Sequence, residues 1–513
     1  TYDTDSFPLL WFALYEKAEN YTLPAVPQQQ NTLNLYPDWR PSITEDDYHA
    51  AIQHIKDYIR SGDTYQVNFT LRLKKHFSEL PFEFFLNMVR AQNAAYPAYI
   101  STDAWTVASA SPELFFTTDK NTVITRPMKG TIERGLTWEQ DQDNKNYLRN
   151  SLKEKAENVM IVDMARNDLG RIAETGSVEV PELFTPEKYP TVWQMTSKVQ
   201  CRTHSSLPEI FQALFPAASI TGAPKTRTME IIKELENSPR KIYTGTIGFI
   251  SPEHHAQFNV AIRTLLLDKK TSEAEFGTGG GIVWDSVDKA EQFEWQTKAR
   301  ILQNFQPEFS LLETILWNNE NGFFLLDKHL ERLKKSADYF DFPVNINSLK
   351  RELLNESRKI NMESAKTRLL LHPDGKSEYE FQPSPTIHRS ASMPRVCISK
   401  TPVDPKNVFL YHKTTYRAPY DQAGSECPGF DDVILYNTNN EITESTIANV
   451  VVKLGETLCT PPVRSGLLNG VFRQYLLEQG TIREKTLTVN DLKNAEEIYL
   501  VNSVRKWRRV LFR

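Results

Sequence analysis

Arg126-Pro-Met-Lys-Gly-Thr131 marks a change of pattern in the first half of the chain. Before it, segments at 67–73, 106–108, 114–117 and 122–125 alternate with a period of two, which predicts strands. After it, 142–164 carries the spacing of one long helix, and a loop-rich stretch follows. Further out, 44–61 predicts an amphipathic helix. Thr44 and Asp47 resemble a capping box, Tyr48, Ile52, Ile55 and Ile59 share a face, and Gly62 ends it. Strands return at 244–250 and 258–267, a glycine run at 277–281 interrupts, and a helix covers about 287–304. The mixture predicts an α+β fold of β-sheets packed by helices.

The pattern resets at 303–309, where Pro307 breaks the preceding helix. A strand at 311–317, a turn at 318–322 and a helix over 328–340 follow, and strands are expected at 367–371, 395–399, 433–436 and 447–454. A chain of 513 residues exceeds what one core can fill, so two domains are expected, 1–305 and 306–513. Hydrophobic content of 40% with 24% charged residues is that of an ordinary globular protein. The net charge of −5 argues against a nucleic-acid partner. The one basic run, Arg505-Lys-Trp-Arg-Arg509, is read as a solvated helix face or part of a phosphate pocket. Four scattered cysteines without C-x-x-C spacing exclude a zinc or disulfide scaffold and suit a reducing cytoplasm. No apolar run suits a membrane span and no signal peptide is visible. The chain starts at Thr1, so the natural N-terminus is expected to be missing.

Three features of the first domain carry candidate chemistry. Lys129 lies between Pro127 and Gly130, with Arg126 and Arg134 near in sequence. Burial or nearby cations lower a lysine pKa and make the amine a nucleophile, but on local context alone a solvated surface lysine is the simpler reading. Glu154 and Glu157 share one helix face, and Glu291 and Glu294 share another. Meeting faces would give an all-oxygen site suited to Mg²⁺. On spacing alone, two ordinary charged faces paired by Lys153, Lys155 and Lys298 are the simpler reading. Gly277-Thr-Gly-Gly-Gly281 is either a tight turn or a nest of N–H groups for a carboxylate, and Arg263 offers a fork to a second one. A Walker A phosphate loop is excluded.

In order along 60–304, Arg126-Pro-Met-Lys-Gly-Thr131, Lys155-Ala-Glu-Asn-Val-Met-Ile-Val-Asp163, Arg166-Asn-Asp-Leu-Gly170, Ile220-Thr-Gly-Ala-Pro-Lys225, Ala261-Ile-Arg-Thr264 and Gly279-Gly-Gly-Ile-Val283 resemble the chorismate-utilising enzymes. The resemblance implies an anthranilate synthase component I-like fold. Within that family, lysine at the position of Lys129 marks the aminodeoxychorismate synthases, where anthranilate synthases have alanine. It implies that Lys129 adds to C2 of chorismate while ammonia replaces the C4 hydroxyl, and that Glu113 is the general acid or base. Glu157 and Glu294 would hold Mg²⁺, supported by Glu154 and Glu291. Tyr243, Arg263 and the amides of Gly279, Gly280 and Gly281 would fix the substrate carboxylates, with Lys298 adding positive charge. Two departures stand out: Gln194 replaces a histidine common in relatives, and the N-terminal part is short.

In the second domain, Lys413 is flanked by cationic and hydroxyl side chains, as a Schiff-base lysine requires. Glu444 could pair with a pyridine nitrogen, and Leu468-Asn-Gly-Val471 precedes a helix whose free N–H groups suit a phosphate. A surface lysine, a loop acid and a helix cap explain the same residues singly. In series with Asp327-Lys-His-Leu-Glu-Arg-Leu333, Thr443-Glu-Ser-Thr-Ile-Ala-Asn449 and Asn502-Ser-Val504 they resemble the class IV aminotransferase-like family, a pyridoxal 5'-phosphate (PLP) fold-type IV domain like D-amino-acid aminotransferase. The likeness implies Lys413 as cofactor anchor and proton shuttle, Glu444 on the pyridinium, and Arg332, Gly470, Val471 and Ser503 on the phosphate.

Motifs alone do not separate lyase from aminotransferase, but fusion to a synthase does. The pair of resemblances implies a bifunctional enzyme of 4-aminobenzoate and folate synthesis: amination of chorismate at C4, then PLP-dependent elimination of pyruvate. No glutaminase cysteine is recognised, so ammonia is expected from solution or from a separate glutamine amidotransferase subunit. A homodimer through the second domain is a further expectation. The rivals are an anthranilate-type synthase joined to a class IV aminotransferase, which Lys129 opposes, and a silent chorismate- or PLP-binding regulator, which the retained Lys129, Glu113, Lys413 and Glu444 oppose.

Overall fold

In the computed structural model, which describes residues 7–21, 39–252, 255–302, 307–384 and 393–513, the chain divides into two units. One comprises Thr1–Arg134 with Asn144–Gln306, and the other Gly135–Asp143 with Pro307–Arg513. The expected boundary near 306 lies outside the described residues.

The first unit is built on two antiparallel sheets. One runs Arg40–Pro41, Gln66–His76, Glu273–Ile282, Thr264–Asp268, Trp105–Ser111, Tyr96–Ser101, with Gly222–Ala223 added beside Gln66–His76. The other runs Thr246–Ser251, His255–Val260, Leu114–Asp119, Thr122–Thr125, Val192–Arg202, Met128–Glu133, with Glu179–Lys188 added beside Val192–Arg202. Helix Glu45–Arg60 forms as its sequence requires: the Thr44 side chain accepts from the Asp47 N–H, and Tyr48, Ile52 and Ile55 are buried against the first sheet. The second sheet packs its Phe115, Phe116 and Val199 on Val162, Ala165 and Leu169 of a long helix.

That helix is not one with its predecessor. The expected single helix over 142–164 is two, Trp138–Asn150 and Leu152–Gly170, because the Ser151 side chain caps the second by accepting from the Glu154 N–H. The expected strand at 258–267 is likewise two, His255–Val260 and Thr264–Asp268, parted at Arg263, which has φ of 52°. The stretch after 164, expected to be loop-rich, holds Glu179–Lys188, Val192–Arg202, Leu207–Leu214 and Lys225–Leu235.

In the second unit, a four-stranded sheet centred on Leu311–Asn318 and Ser364–Leu371 packs on helices Leu326–Phe340 and Ile346–Ser357. An eight-stranded sheet follows, in which Arg395–Ile398 runs parallel to both neighbours. Ile442–Ser445 pairs with Asn449–Leu454 as well as with Asp432–Tyr436, which closes part of that sheet on itself and sets Glu444 opposite Asn449. The basic run at 505–509 lies largely in the strand Lys506–Phe512, not on a helix face. Among the described residues no helix is long and apolar enough to cross a membrane.

Candidate functional site

A cavity of about 440 Å³ in the first unit gathers Lys129, Glu113, Glu154, Glu157, Glu291, Glu294, Tyr243, Arg263, Gly279, Gly281 and Lys298 on its wall. Lys129 projects from the strand Met128–Glu133 and meets Glu157 Oε2 at 3.1 Å. The cations expected to surround it are engaged elsewhere: Arg126 with Glu187 and Glu182 at 2.8 and 3.3 Å, and Arg134 with the Tyr189 carbonyl at 3.0 Å. Glu113 is buried just before the strand Leu114–Asp119, and burial raises its carboxyl to about 7 although the Ser219 hydroxyl donates to it at 2.6 Å. Ser219 is a site residue that the sequence did not reveal.

Lys298 donates to the Gly279 carbonyl at 2.8 Å and pairs with Glu294 at 2.5 Å, while its own carbonyl takes a bond from Arg263. Burial lowers Arg263 to about 10, and its left-handed backbone is the kind of strain that persists where the surroundings fix a side chain. The Tyr243 ring lies flat against Gly277, where a Cβ would come within 2.1 Å of it.

The glycine run is not a turn or a nest. It lies within the strand Glu273–Ile282, in register with Gln66–His76, and none of its glycines has positive φ. The Asn68 N–H donates to the Thr221 carbonyl at 2.7 Å and the Thr70 N–H to Glu236 at 3.0 Å. Gly281 and Gly279 oppose these residues, so their N–H groups also turn outward from the pair. Pairing on the other side stops at Phe276, which leaves these two amides beyond the end of Thr264–Asp268. Gly280 has the opposite parity, spends its amide on the ladder and is not on the cavity wall.

The four glutamates offer the oxygen donors that Mg²⁺ takes. Glu291 Oε2 is buried without a hydrogen-bond partner among the described residues. Burial and then the Glu157 carboxylate raise Glu154, and burial with Glu294 raises Glu291, as expected where a cation would relieve crowded negative charge. Glu157 and Glu294 are held by Lys129 and Lys298, and among the described residues no three potential ligands are drawn together. The donor set fits the ion.

The second unit encloses a cavity of about 490 Å³ whose lining includes Lys413, Glu444, Arg332, Gly470, Val471 and Ser503. Lys413 has a rigid seat because its carbonyl accepts from the Leu312 N–H at 2.9 Å. Burial, then Arg332, lowers its amine to about 8. Glu444 is raised to about 7 by burial, against bonds from Tyr420 Oη at 2.8 Å, the Leu468 N–H at 3.1 Å and Asn449 Nδ2 at 3.2 Å. Gly470 caps the helix Val471–Glu478, and a Cβ there would meet Asn449 Oδ1 at 2.0 Å. Arg332 is gripped by Glu313 through two bonds of 2.9 and 2.7 Å, and His329 joins the same carboxylate at 2.7 Å. The sequence reading missed Glu313, His329 and Tyr420. The only signal was the spacing of His329 and Arg332, three apart on one helix face. An amine of lowered pKa, an acid for a pyridine nitrogen, and an arginine beside a helix N-terminus fit PLP.

The family model for chorismate binding enzymes matches residues 9–304, and that for class IV amino-transferases matches 310–511. Aminodeoxychorismate synthase component 1 of Bacillus subtilis is 40% identical over 55% of this chain and 60% of its own length. Its Escherichia coli namesake is 38% identical over 55% of this chain and 62% of its own. Anthranilate synthase component 1 of Aquifex aeolicus is 35% identical over 56% and 60%. The chain therefore spans about three fifths of the length of these curated relatives. With more than half of its residues matched by one model, and an α+β chorismate-binding unit followed by a class IV aminotransferase fold, the chain belongs to the chorismate binding enzyme family.

Proposed function

We propose that this chain makes 4-aminobenzoate from chorismate in two steps, one in each unit. The observation that carries the reading is that two cavities in one chain each hold a lysine and a buried glutamate whose carboxyl is raised to about 7: Lys129 and Glu113 in one, Lys413 and Glu444 in the other.

In the first step chorismate and ammonia give 4-amino-4-deoxychorismate and water. Arg263 and the amides of Gly279 and Gly281 bind the carboxylates, and Tyr243 shapes the wall. Glu113, protonated up to about pH 7, hands its proton to the departing C4 hydroxyl. Lys129 adds at C2 and leaves again as the amine enters at C4. Glu157 and Glu294, with Glu154 and Glu291, would hold Mg²⁺, which supplies charge to a substrate carboxylate. Ammonia comes from solution or from a glutamine amidotransferase subunit, the partner that the name component 1 on the relatives suggests.

In the second step that product gives 4-aminobenzoate and pyruvate. Bound PLP would draw electrons from the amine-bearing carbon. Lys413, with its amine at about 8, takes the proton from C4 as the C3–oxygen bond breaks, and pyruvate leaves. Glu444 would hold the pyridine nitrogen.

Incubation of the purified chain with chorismate, Mg²⁺, PLP and ammonium, followed by chromatography, tests the whole. The expected products are 4-aminobenzoate and pyruvate. Release of 2-aminobenzoate would overturn the role of Lys129, and accumulation of aminodeoxychorismate would overturn the lyase.

A further inference from the structure

Neither Glu236 nor Arg240 is on the lining of the first cavity, yet together they tie down two pieces that are. Arg240 Nη1 donates to the Ile220 carbonyl at 2.9 Å and Nη2 to the Asn68 carbonyl at 2.7 Å. Asn68 and Ile220 both line the cavity, and Ile220 follows Ser219, whose hydroxyl donates to Glu113. The guanidinium is itself aimed by Glu236, which accepts from Nε at 3.0 Å and from Nη2 at 2.6 Å. Glu236 in turn is pinned to the strand Gln66–His76 by the Thr70 N–H at 3.0 Å and the Thr70 hydroxyl at 2.8 Å. The two side chains are only 16% and 4% exposed, so the fork has little room to swing. The turn Ala218–Ile220 is thus joined to that strand at both ends, through Arg240 near Ser219 and through the Asn68 N–H on the Thr221 carbonyl at 2.7 Å. Loss of the fork frees the Ser219 end and leaves the Thr221 end tied.

We propose that Arg240, aimed by Glu236, is a positioning residue for the amination step: it fixes the turn that carries Ser219 and so sets the Ser219 hydroxyl on the Glu113 carboxyl; this rests on the chorismate reading above. The Ser219 bond favours the carboxylate, against the burial that keeps Glu113 protonated. A freed turn weakens that bond, so the acid keeps its proton to higher pH but is poorly aimed. Turnover falls while the pH limit of activity rises. A fold that is merely loosened does the opposite to the limit, because admitted water relieves the burial and moves it down. The titratable groups around Glu113 have holders of their own. Lys298, on the helix Asp288–Ala299, is on Gly279 and Glu294, and Tyr189 is on Pro112 and Glu187. Asp168, across a small cavity, is on Lys225, and Lys129 is on Glu157. Glu236 also meets Arg72 at 3.7 Å, and the Arg72 guanidinium lies 5.0 Å from the Tyr243 ring, so that wall has a support that Arg240 does not supply.

The test compares the full chain with Arg240→Lys, which keeps the charge opposite Glu236 but loses the fork, with Ser219→Ala, and with the double variant. Total aminated product from chorismate, Mg²⁺ and ammonium is followed across the pH range at constant free ammonia. In both single variants kcat is expected to fall by about tenfold, with KM for chorismate within about threefold of the wild type. The falling limb of kcat/KM is expected to move up by about half a pH unit in each. The double variant should match Ser219→Ala within about twofold, since both changes act on one bond. A limb that stays or moves down in Arg240→Lys, or losses that multiply in the double variant, overturns the assignment. If urea titration shows that Arg240→Lys does not fold, Glu236→Gln, which leaves the guanidinium in place with a weaker grip, must give the same signs. A wild type that aminates nothing, or whose limb persists in Glu113→Gln, overturns the chorismate reading or the role of Glu113, which is a different outcome.

Discussion

At Glu113 two influences oppose each other, the 2.6 Å bond from Ser219 favouring the carboxylate and burial favouring the acid, and burial prevails at about 7. The consequence is a falling limb in kcat/KM for the amination step above about pH 7, absent from the residual activity of Glu113→Gln. Stability follows the same titration. The folded chain keeps the Glu113 proton up to about 7 while the unfolded chain loses it near 4.5, so stability falls as pH rises between those values. Glu113→Gln escapes that loss, and urea titrations at pH 5 and pH 8 are expected to show its advantage growing toward roughly 3 kcal/mol. An advantage that shrank with pH would contradict the raised carboxyl. Lys413→Ala is expected to abolish the pH-sensitive absorbance that PLP gains on binding; a variant that kept it would remove Lys413 from its role. Lys129, Glu113, Lys413 and Glu444 were singled out through the resemblance of their surrounding motifs to two families, and each lies on a cavity lining. Ser219, Glu313 and Tyr420 were not, since each reaches its partner from 106, 16 or 24 residues away and carries no local mark.

Elements show the same division. Thr44 and the apolar spacing after it suffice for Glu45–Arg60, and the structure has that helix. Glu179–Lys188 is charged and has no buried position, so no alternation betrays a strand; it exists because Val192–Arg202 offers it a partner. The glycine run misled for a related reason. Five residues with four glycines look like a turn, yet here the missing side chains make room across a strand, for the Tyr243 ring at 277 and the Phe69 carbonyl at 279. Gly277→Ala should therefore destabilise by about 1–3 kcal/mol and weaken chorismate binding together, read as a lower urea midpoint and a higher KM. A neutral substitution would mean that Tyr243 is free to move, and that the close packing does not set the wall. Gly470→Ala makes the parallel case in the second unit, where the displaced Asn449 is a donor to Glu444.

On the scale of the molecule, each unit has its own apolar clusters, its own cavity and its own lysine, and no residue of one cavity lining belongs to the other. Chemistry so divided can be separated by mutation. Lys129→Ala should still convert added aminodeoxychorismate to 4-aminobenzoate and pyruvate at close to the wild-type rate. Lys413→Ala should turn chorismate and ammonium into aminodeoxychorismate and stop there. If each half-reaction is complete within its unit, mixing the two variants restores 4-aminobenzoate through intermediate released to solution. Its appearance then lags, and the lag shortens as the Lys129→Ala chain is added in excess. A Lys413→Ala chain that stops after about one turnover, in a mixture that stays inactive although Lys129→Ala converts added aminodeoxychorismate, would show that the intermediate does not leave the chain that makes it. A Lys129→Ala chain unable to process added aminodeoxychorismate would instead show that the second cavity depends on the first, against the independent cores and linings on which the two-step reading stands.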